Sequence, residues 1–535
     1  MKRFFSGLMI SMLTFILLFC VYTSTAAAKA DDVEITLITP LSVSKAVAFP
    51  VVAKVTNNKL AGDIQLKKAT WNWAQREYVK EINQAIRPGG EARQALKTLQ
   101  GKNERGTLSA AEQNQAKAHY ENLKKATSYV RFTVTKEMAA ELLAKGSIKL
   151  SIDLTGQSLS DQNEVHALQE VVLTAGRAPE RPPVAPGAHH SDWYFGDTHS
   201  HSTYTWDYYF GDGIYTIPEL KSLAMAAGLD WLVLTDHSYC LDANKYTEQK
   251  NTVTSLSDGT FAFLYGEELS AAELVNGVKA YDTCHFGSIL NSTFVPSQTD
   301  IFRKASSPDS QQAINYIKQY GGLVKTNHPN WGTGVLEAWN FNINTYPYTH
   351  GETGMEIINA SSSSDTNLGS TTRWIDHRLL NGEKVFPFAG SDTESSNYLG
   401  GAYTVVYADY LTQQNIKDNL GLGHHYVTTR PGLAEWARKS GTSTWSWMGD
   451  SLTIGSGNAE VYISYADSAD SLDIVVMKGK TGWTAEQQVY AKTVSPGSGF
   501  FTITVGVEPG SYLRAYCKEK TNGNYRAFTT PIWFN

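Results

Sequence analysis

The segment Gly196-Asp197-Thr198-His199-Ser200-His201-Ser202 decides how this chain is read. It follows Trp193-Tyr194-Phe195, an apolar run of strand composition, so the two histidines sit where a strand runs out. A spacing of two on extended backbone turns both imidazoles to the same side, because strand side chains alternate. Working outward, six further strand-like runs carry or precede a polar group of the same kind. They are 231–235 with Asp236 and His237, 261–265 with Glu267 and Glu268, 283–290 with His285, 322–326 with His328, 354–358 with Glu356, and 385–389 with Asp392. Helical patterns separate several of them: Thr216-Ile217-Pro218-Glu219 opens one, and 311–320 and 372–380 form others. Over 193–440 this alternation predicts a mainly parallel βα sheet or barrel. In a barrel the strand ends meet on one rim, which brings residues distant in sequence within ligand reach. Imidazoles and carboxylates without thiolates suit zinc, manganese or iron, and so many candidates point to two or more ions.

The block 196–392 resembles the PHP-domain (polymerase and histidinol phosphatase) metallohydrolases, especially their secreted CehA/McbA-like branch. The resemblance rests on the opening segment, Thr235-Asp236-His237, Gly266-Glu267-Glu268, His328-Pro329 and Gly390-Ser391-Asp392. More loosely it includes 423–430, Met448-Gly449-Asp450 and Thr530-Pro531-Ile532-Trp533, and it does not reach 31–176. It implies a distorted (β/α)7 barrel. It also implies that His199, His201, Glu268 and Asp392 surround one divalent ion, while Glu268, His285 and His328 hold a second, with Glu268 bridging. The family's Gly-x-Glu spacing selects Glu268, with Glu267 as the alternative. Two departures stand out. Asp392-Thr393-Glu394 replaces the usual Asp-x-His, and Thr205-Trp206-Asp207 replaces the expected Ser-Asp-Gly. Both fall on the family's third ion, for which His237 and Glu394, with Asp207 or Asp212, offer an oxygen-rich set suited to a harder ion.

Two ions about 3.5–4 Å apart can share a water, lower its pKa towards neutrality and clamp the attacked oxygen. The resemblance therefore implies a phosphoesterase acting on a small phosphoester. Hydrolysis of an amide, carbamate or ester is the alternative suggested by the branch. A non-catalytic protein gripping carbohydrate or cell wall through some of the 13 tryptophans is the third reading. His237 or Asp236 is suited to protonating a leaving group, and Asp236 equally to orienting a ligand histidine. Arg430, with His424 and His425, follows a helical stretch and reads as reaching the rim to hold an anionic substrate group. His119, His166, His350 and His377 lack motif context and read as structural or solvated; so do His189 and His190.

The 535 residues exceed one core and predict several domains. Residues 1–30 carry Lys2 and Arg3, an apolar run over 8–21 and Ala28-Lys29-Ala30, the pattern of a cleaved signal peptide, which implies a secreted or periplasmic protein. The run is short for a membrane anchor. The net charge is −6, more negative still without Lys2, Arg3 and Lys29, which argues against nucleic acid as a partner. Without Cys20 three cysteines remain, of which Cys240 and Cys284, near strand ends, are the expected pair. Residues 31–176 read as a β module with a helical insertion over about 68–126, split into a hairpin at Pro88-Gly89-Gly90. The proline-rich 177–192 reads as a linker and 441–535 as a β-sandwich.

Overall fold

The computed structural model describes residues 29–30, 33–59, 61–103, 109–187, 192–205, 213–275, 278–297, 310–329, 351–361 and 366–535. Nearly all of the leader at 1–30, with His189, His190, Trp206, Asp207, Asp212 and His350, lies outside them. No helix of the described residues is long and apolar enough to cross a membrane. The chain is a multidomain, mixed α/β protein.

The N-terminal region begins with β1 (Lys29–Ala30), β2 (Val33–Ile38), β3 (Phe49–Asn57), β4 (Ile64–Trp73) and β5 (Arg76–Ile86). Then come α1 (Gly90–Asn103), α2 (Ala110–Lys125), β6 (Thr127–Val134), α3 (Lys136–Lys145), β7 (Ser147–Ser158) and β8 (Glu164–Thr174). Two four-stranded sheets result, ordered β1-β2-β3-β6 and β5-β4-β7-β8. The expected helical insertion is therefore corrected over 68–86, which is a β-hairpin. Its turn residues Ala74 and Gln75 have φ of 47° and 70°, the left-handed pair that a two-residue hairpin loop needs. Trp71 and Trp73 are buried on the inward face, and pairing with β7 overrides the helix-like composition. β5 is charged because it is an exposed edge strand, where charge blocks pairing with other chains. Pro88-Gly89 consequently joins a strand to α1, and the two helices are parted after Asn103 instead.

The central region runs β9 (Asp192–Asp197), α4 (Ile217–Ala226), β10 (Trp231–Leu234), α5 (Ala243–Leu256), β11 (Ala262–Tyr265), β12 (Glu268–Val275) and β13 (Val278–Ile289). It continues through α6 (Ser310–Gln319), β14 (Leu323–Thr326), β15 (Gly354–Asn359), α7 (Thr366–His377) and β16 (Phe386–Gly390). β17 (Tyr403–Ala408), α8 (Gln413–Leu422) and β18 (His425–Thr428) follow. β9, β10 and β11 pair in parallel, as do β14, β15 and β16. β12 was not foreseen; it forms an antiparallel hairpin with β13, and β17 lies antiparallel to β9. β13 is also antiparallel to β14 and β17 to β18, so among these strands parallel pairing is confined to β9–β11 and β14–β16.

The remaining strands are β19 (Gly432–Lys439), β20 (Ser446–Trp447), β21 (Ser451–Leu452), β22 (Gly457–Asp467), β23 (Leu472–Lys480) and β24 (Gln487–Val494). Last come β25 (Gly497–Val507), β26 (Ser511–Glu519), β27 (Tyr525–Thr529) and β28 (Ile532–Phe534). β18 pairs with β27, so the sheet of β9 continues without a break into the C-terminal strands. Leu433, Val461 and Ile463 from one sheet and Ile474, Val476 and Leu513 from the other share a buried core.

The N-terminal region is fastened to the central one at the α4 end. Glu219 accepts from the Thr216 backbone N–H and hydroxyl, starting α4, and also takes Arg131 Nε at 2.9 Å. Lys45 meets Asp230 at 3.0 Å. These contacts tie α4 and the start of β10 to the N-terminal region.

Candidate metal centre

Two short seams join the sheet of β9–β11 to that of β12–β16, made by residues of the site or their immediate neighbours in sequence. His237 bridges to Glu268 in parallel register, and Ser200, between His199 and His201, to Thr393, between Asp392 and Glu394. Glu268 N–H donates to Asp236 O at 3.0 Å, and Asp392 N–H to His199 O at 2.9 Å. The backbone bonds that join the sheets therefore fix the side chains between them.

Glu268 is buried at the start of β12 and stands among five imidazoles. Its Oε1 lies 3.2 Å from His199 Nε2, 3.1 Å from His285 Nδ1 and 3.2 Å from His328 Nε2. Its Oε2 lies 3.3 Å from His201 Nε2 and 3.0 Å from His237 Nδ1. Asp392 Oδ1 is 3.3 Å from Nε2 of both His199 and His201. Glu394 Oε1 is 2.9 Å from His237 Nε2 and 3.7 Å from His201 Nε2. Three groups of donors result: His199, His201, Glu268 and Asp392; Glu268, His285 and His328; and His201, His237 and Glu394.

These groups fit divalent ions. A tetrahedral ion bonded at about 2.0–2.1 Å holds adjacent donors roughly 3.3 Å apart, close to the spacing around Glu268 and Asp392. His201 Nε2, His237 Nδ1 and Glu268 Oε2 are buried without a hydrogen-bond partner among the described residues. They approach one another to 3.0–3.3 Å but out of hydrogen-bond alignment. Buried polar atoms are rarely left so, and a cation between them supplies the missing partner. Nitrogen and carboxylate donors without a thiolate match zinc, manganese or iron.

Burial alone would lower the imidazole pKa values, but the carboxylates outweigh it. Asp392, Glu268 and Glu356 raise His199 to about 10; Glu394, Asp392 and Glu268 raise His201 to about 9; Glu268 and Glu394 raise His237 to about 10. Burial would raise Glu268 and Asp392, yet the histidine charges hold both well below the carboxylate range. Protons and divalent ions therefore compete for the same nitrogen lone pairs.

A second layer fixes the ring orientations. Thr205 Oγ1 donates its single proton to Asp236 Oδ1 at 2.7 Å, so toward His201 Nδ1, at 3.1 Å, it accepts. In its neutral form His201 therefore keeps its proton on Nδ1, and Nε2 is the nitrogen left to face the centre. Asp236 spends its other bonds on Ser202, from N–H to Oδ1 and from Oγ to Oδ2, both at 2.6 Å. Its side chain reaches the cluster through Thr205, a position from which it orients the His201 ring. His199 Nδ1 is 3.3 Å from Glu356 Oε1, which leaves its Nε2 inward too. Burial would raise Glu356, but Lys325 and His199 bring it down to about 2.

The structure brings together His199, His201, His237, Glu268, His285, His328, Asp392 and Glu394. Glu267 points elsewhere, accepting from Asn291 Nδ2 at 2.8 Å and Val295 N–H at 2.9 Å, so Glu268 is the carboxylate at the centre. The expected reach of His425 to the rim is corrected: it is buried beside Phe386 and Phe388 and donates to Pro387 O at 2.8 Å. His424 lies 3.3 Å from Asp450, and among the described contacts none joins Arg430 to the cluster. His166 meets Asp153 at 2.7 Å on the surface. Cys240 is buried, and the side chain of Cys284 lies outside the described residues. Thr205, Lys325, Asn327 and Asn359 were missed. A lysine inside the short strand 322–326 was the one visible signal.

Neither a protein-family profile nor a curated protein sequence matches the chain. Among solved structures, a Bifidobacterium adolescentis protein provisionally described as a metal-dependent phosphoesterase aligns at 14% identity and TM-score 0.25, covering 37% of this chain and 86% of its own. An Archaeoglobus fulgidus protein aligns at 11% and TM-score 0.15, covering 27% and 95%. Bacteroides uniformis beta-glucuronidase 2 aligns at 8% and TM-score 0.18, covering 94% and 61%. Likenesses this low carry no argument about fold or activity, and the site is read on its own geometry.

Proposed function

We propose that this chain is an exported, divalent-metal-dependent hydrolase, a phosphoesterase, whose centre lies in a distorted PHP-type barrel within 193–440. In this reading 1–30 is the leader, 31–176 and 441–535 are flanking β modules, the latter a sandwich, and 177–192 is the linker. The observation that carries it is Glu268 among five imidazoles, with Asp392 and Glu394 at their edge.

Bound divalent ions supply an activated water and a positive clamp on the attacked group. The chain's own residues do the rest. Glu268 is shared between two donor groups and so fixes their separation. Thr205 and Glu356 hold His201 and His199 in the tautomers whose Nε2 faces inward. His237 and Glu394, 2.9 Å apart at a more open edge of the cluster, are assigned to hold a proton and pass it to the leaving oxygen. A centre with two shared-carboxylate groups suits in-line displacement at phosphorus, where attacking and leaving oxygens both carry charge.

Purified protein loaded with Zn2+ or Mn2+ is expected to cleave p-nitrophenyl phosphate or its bis-ester. Cleavage of an aryl carbamate with neither phosphoester touched would replace this reading by amide, carbamate or ester hydrolysis on the same donors. Tight metal binding with no turnover of any of the three would favour a binding role.

A further inference from the structure

Lys325 and Glu356 lie beneath the donor cluster on adjacent strands, β14 and β15, with side chains that expose no surface. A fully buried lysine is rare unless it is paired. Lys325 Nζ lies 3.4 Å from Glu356 Oε1 and also hydrogen-bonds Asn327 Oδ1. Asn327 Nδ2 in turn donates to Glu268 Oε1 at 2.8 Å. Glu356 reaches both donor groups. Oε1 faces His199 Nδ1 at 3.3 Å, and Oε2, itself 3.4 Å from that ring nitrogen, also accepts the His328 backbone N–H at 2.7 Å and Asn359 Nδ2 at 3.1 Å.

Two further observations show that the fold is shaped around this carboxylate. His328 has φ of 26°, a left-handed conformation that a non-glycine residue keeps only when its surroundings hold it, and the Glu356 bond to its N–H is a local restraint. A Cβ on Gly390 would stand 2.5 Å from both Glu356 Oε1 and His199 Cβ, so the missing side chain there is what lets the carboxylate reach the ring. Gly287 does the same for the lysine arm: its Cβ would lie 2.7 Å from Asn327 Oδ1 and 3.0 Å from Lys325 Cε.

We propose that Glu356 is a positioning residue serving both ion groups at once, holding His199 by its ring and His328 by its backbone, with Lys325 as its anchor. This rests on the metal-centre reading above. Glu356 acts through ligands and not on substrate, so its loss should weaken both ions together, although no ligand is removed.

The test is equilibrium binding of Zn2+ and of Mn2+ to the full chain, in competition with a chromophoric chelator, together with thermal melting of metal-free protein. Glu356→Gln keeps the size but turns an amide N–H2 towards donors on one side. Loss of such an outer partner typically costs 10–100-fold in affinity, and that loss is expected for both ions. The double variant K325M/E356Q removes the buried charge pair whole, which usually leaves stability intact. It should melt near the wild-type temperature and still bind both ions 10–100-fold more weakly. If the double variant regains wild-type affinity, the pair serves only charge balance and the proposal fails. Loss confined to one ion also overturns it. Gly390→Ala, which removes no polar group, should weaken both ions as well, and unchanged binding in all three variants would overturn the clamp alone. Failure of the wild type to bind either ion would instead remove the metal centre, and the clamp with it.

Discussion

His237 Nε2 and Glu394 Oε1 stand 2.9 Å apart, while the other nitrogen of the same ring lies 3.0 Å from Glu268 Oε2. One imidazole thus spans the shared carboxylate and the peripheral one. Glu394 reaches His201 and His237, and no described contact takes it to His285 or His328.

This separation predicts unequal metal losses. Glu394→Ala should leave the ion at Glu268, His285 and His328 bound at wild-type affinity while lowering turnover, on the order of 10–100-fold for loss of a proton-transfer partner. Glu268→Ala should abolish binding of both ions. Metal stoichiometry after buffer exchange separates the cases. Equal losses in the two variants would contradict the assignment.

The raised histidines set the pH dependence. Their folded pKa values, about 9 to 10, exceed the ordinary 6.5, so the ion pairs they form with Glu268, Asp392 and Glu394 contribute stability fully present below about 6.5. That contribution is lost as the pH rises through 9 to 10. Metal-free protein should therefore melt lower at pH 9.5 than at pH 6.5. Added Zn2+ should stabilise more as the pH rises, because fewer protons must be displaced. Differential scanning calorimetry with and without chelator at the two pH values reads both trends.

Thr205 makes a narrower prediction. Thr205→Val keeps the shape but removes the hydroxyl between His201 and Asp236, leaving the tautomer of His201 unfixed. Metal affinity should fall about tenfold or more, as for other outer partners of ligand histidines. Thr205→Ser should restore it. Competition titration with a chelator checks the pair.

Glu435 is buried in β19, and burial pushes its carboxyl up to about 8. For an acid with a raised folded pKa, stability is fully present below the unfolded value near 4.5 and declines as the pH climbs to about 8. Glu435→Gln should therefore gain stability relative to the parent at pH 8.5, by a few kcal/mol, and little at pH 4.5. Urea unfolding at both pH values tests it; a gain of equal size at each would point to another cause.

The sequence by itself placed the strand ends and the residue types that gather beyond them. A strand that runs out in His-x-His, and apolar runs closing on Asp236, Glu268, His328 and Asp392, are local patterns written in period-two alternation and residue type. The hairpin of β4 and β5 was not legible, because its Ala, Lys and Glu composition is helix-like and only pairing with β7 makes it strand. β12 was missed because its identity as a strand lies in its pairing with β13. The resemblance already selected Glu268 over Glu267; the structure adds the physical reason, a bridge from His237 to Glu268 while Glu267 is held by Asn291 and Val295. The roles of Thr205, Lys325 and Glu356 belong wholly to the tertiary structure. Hydrogen bonds between residues more than 100 positions apart, such as His199 to Glu356, leave no trace in local pattern and exist only where separate strands have been brought to one place.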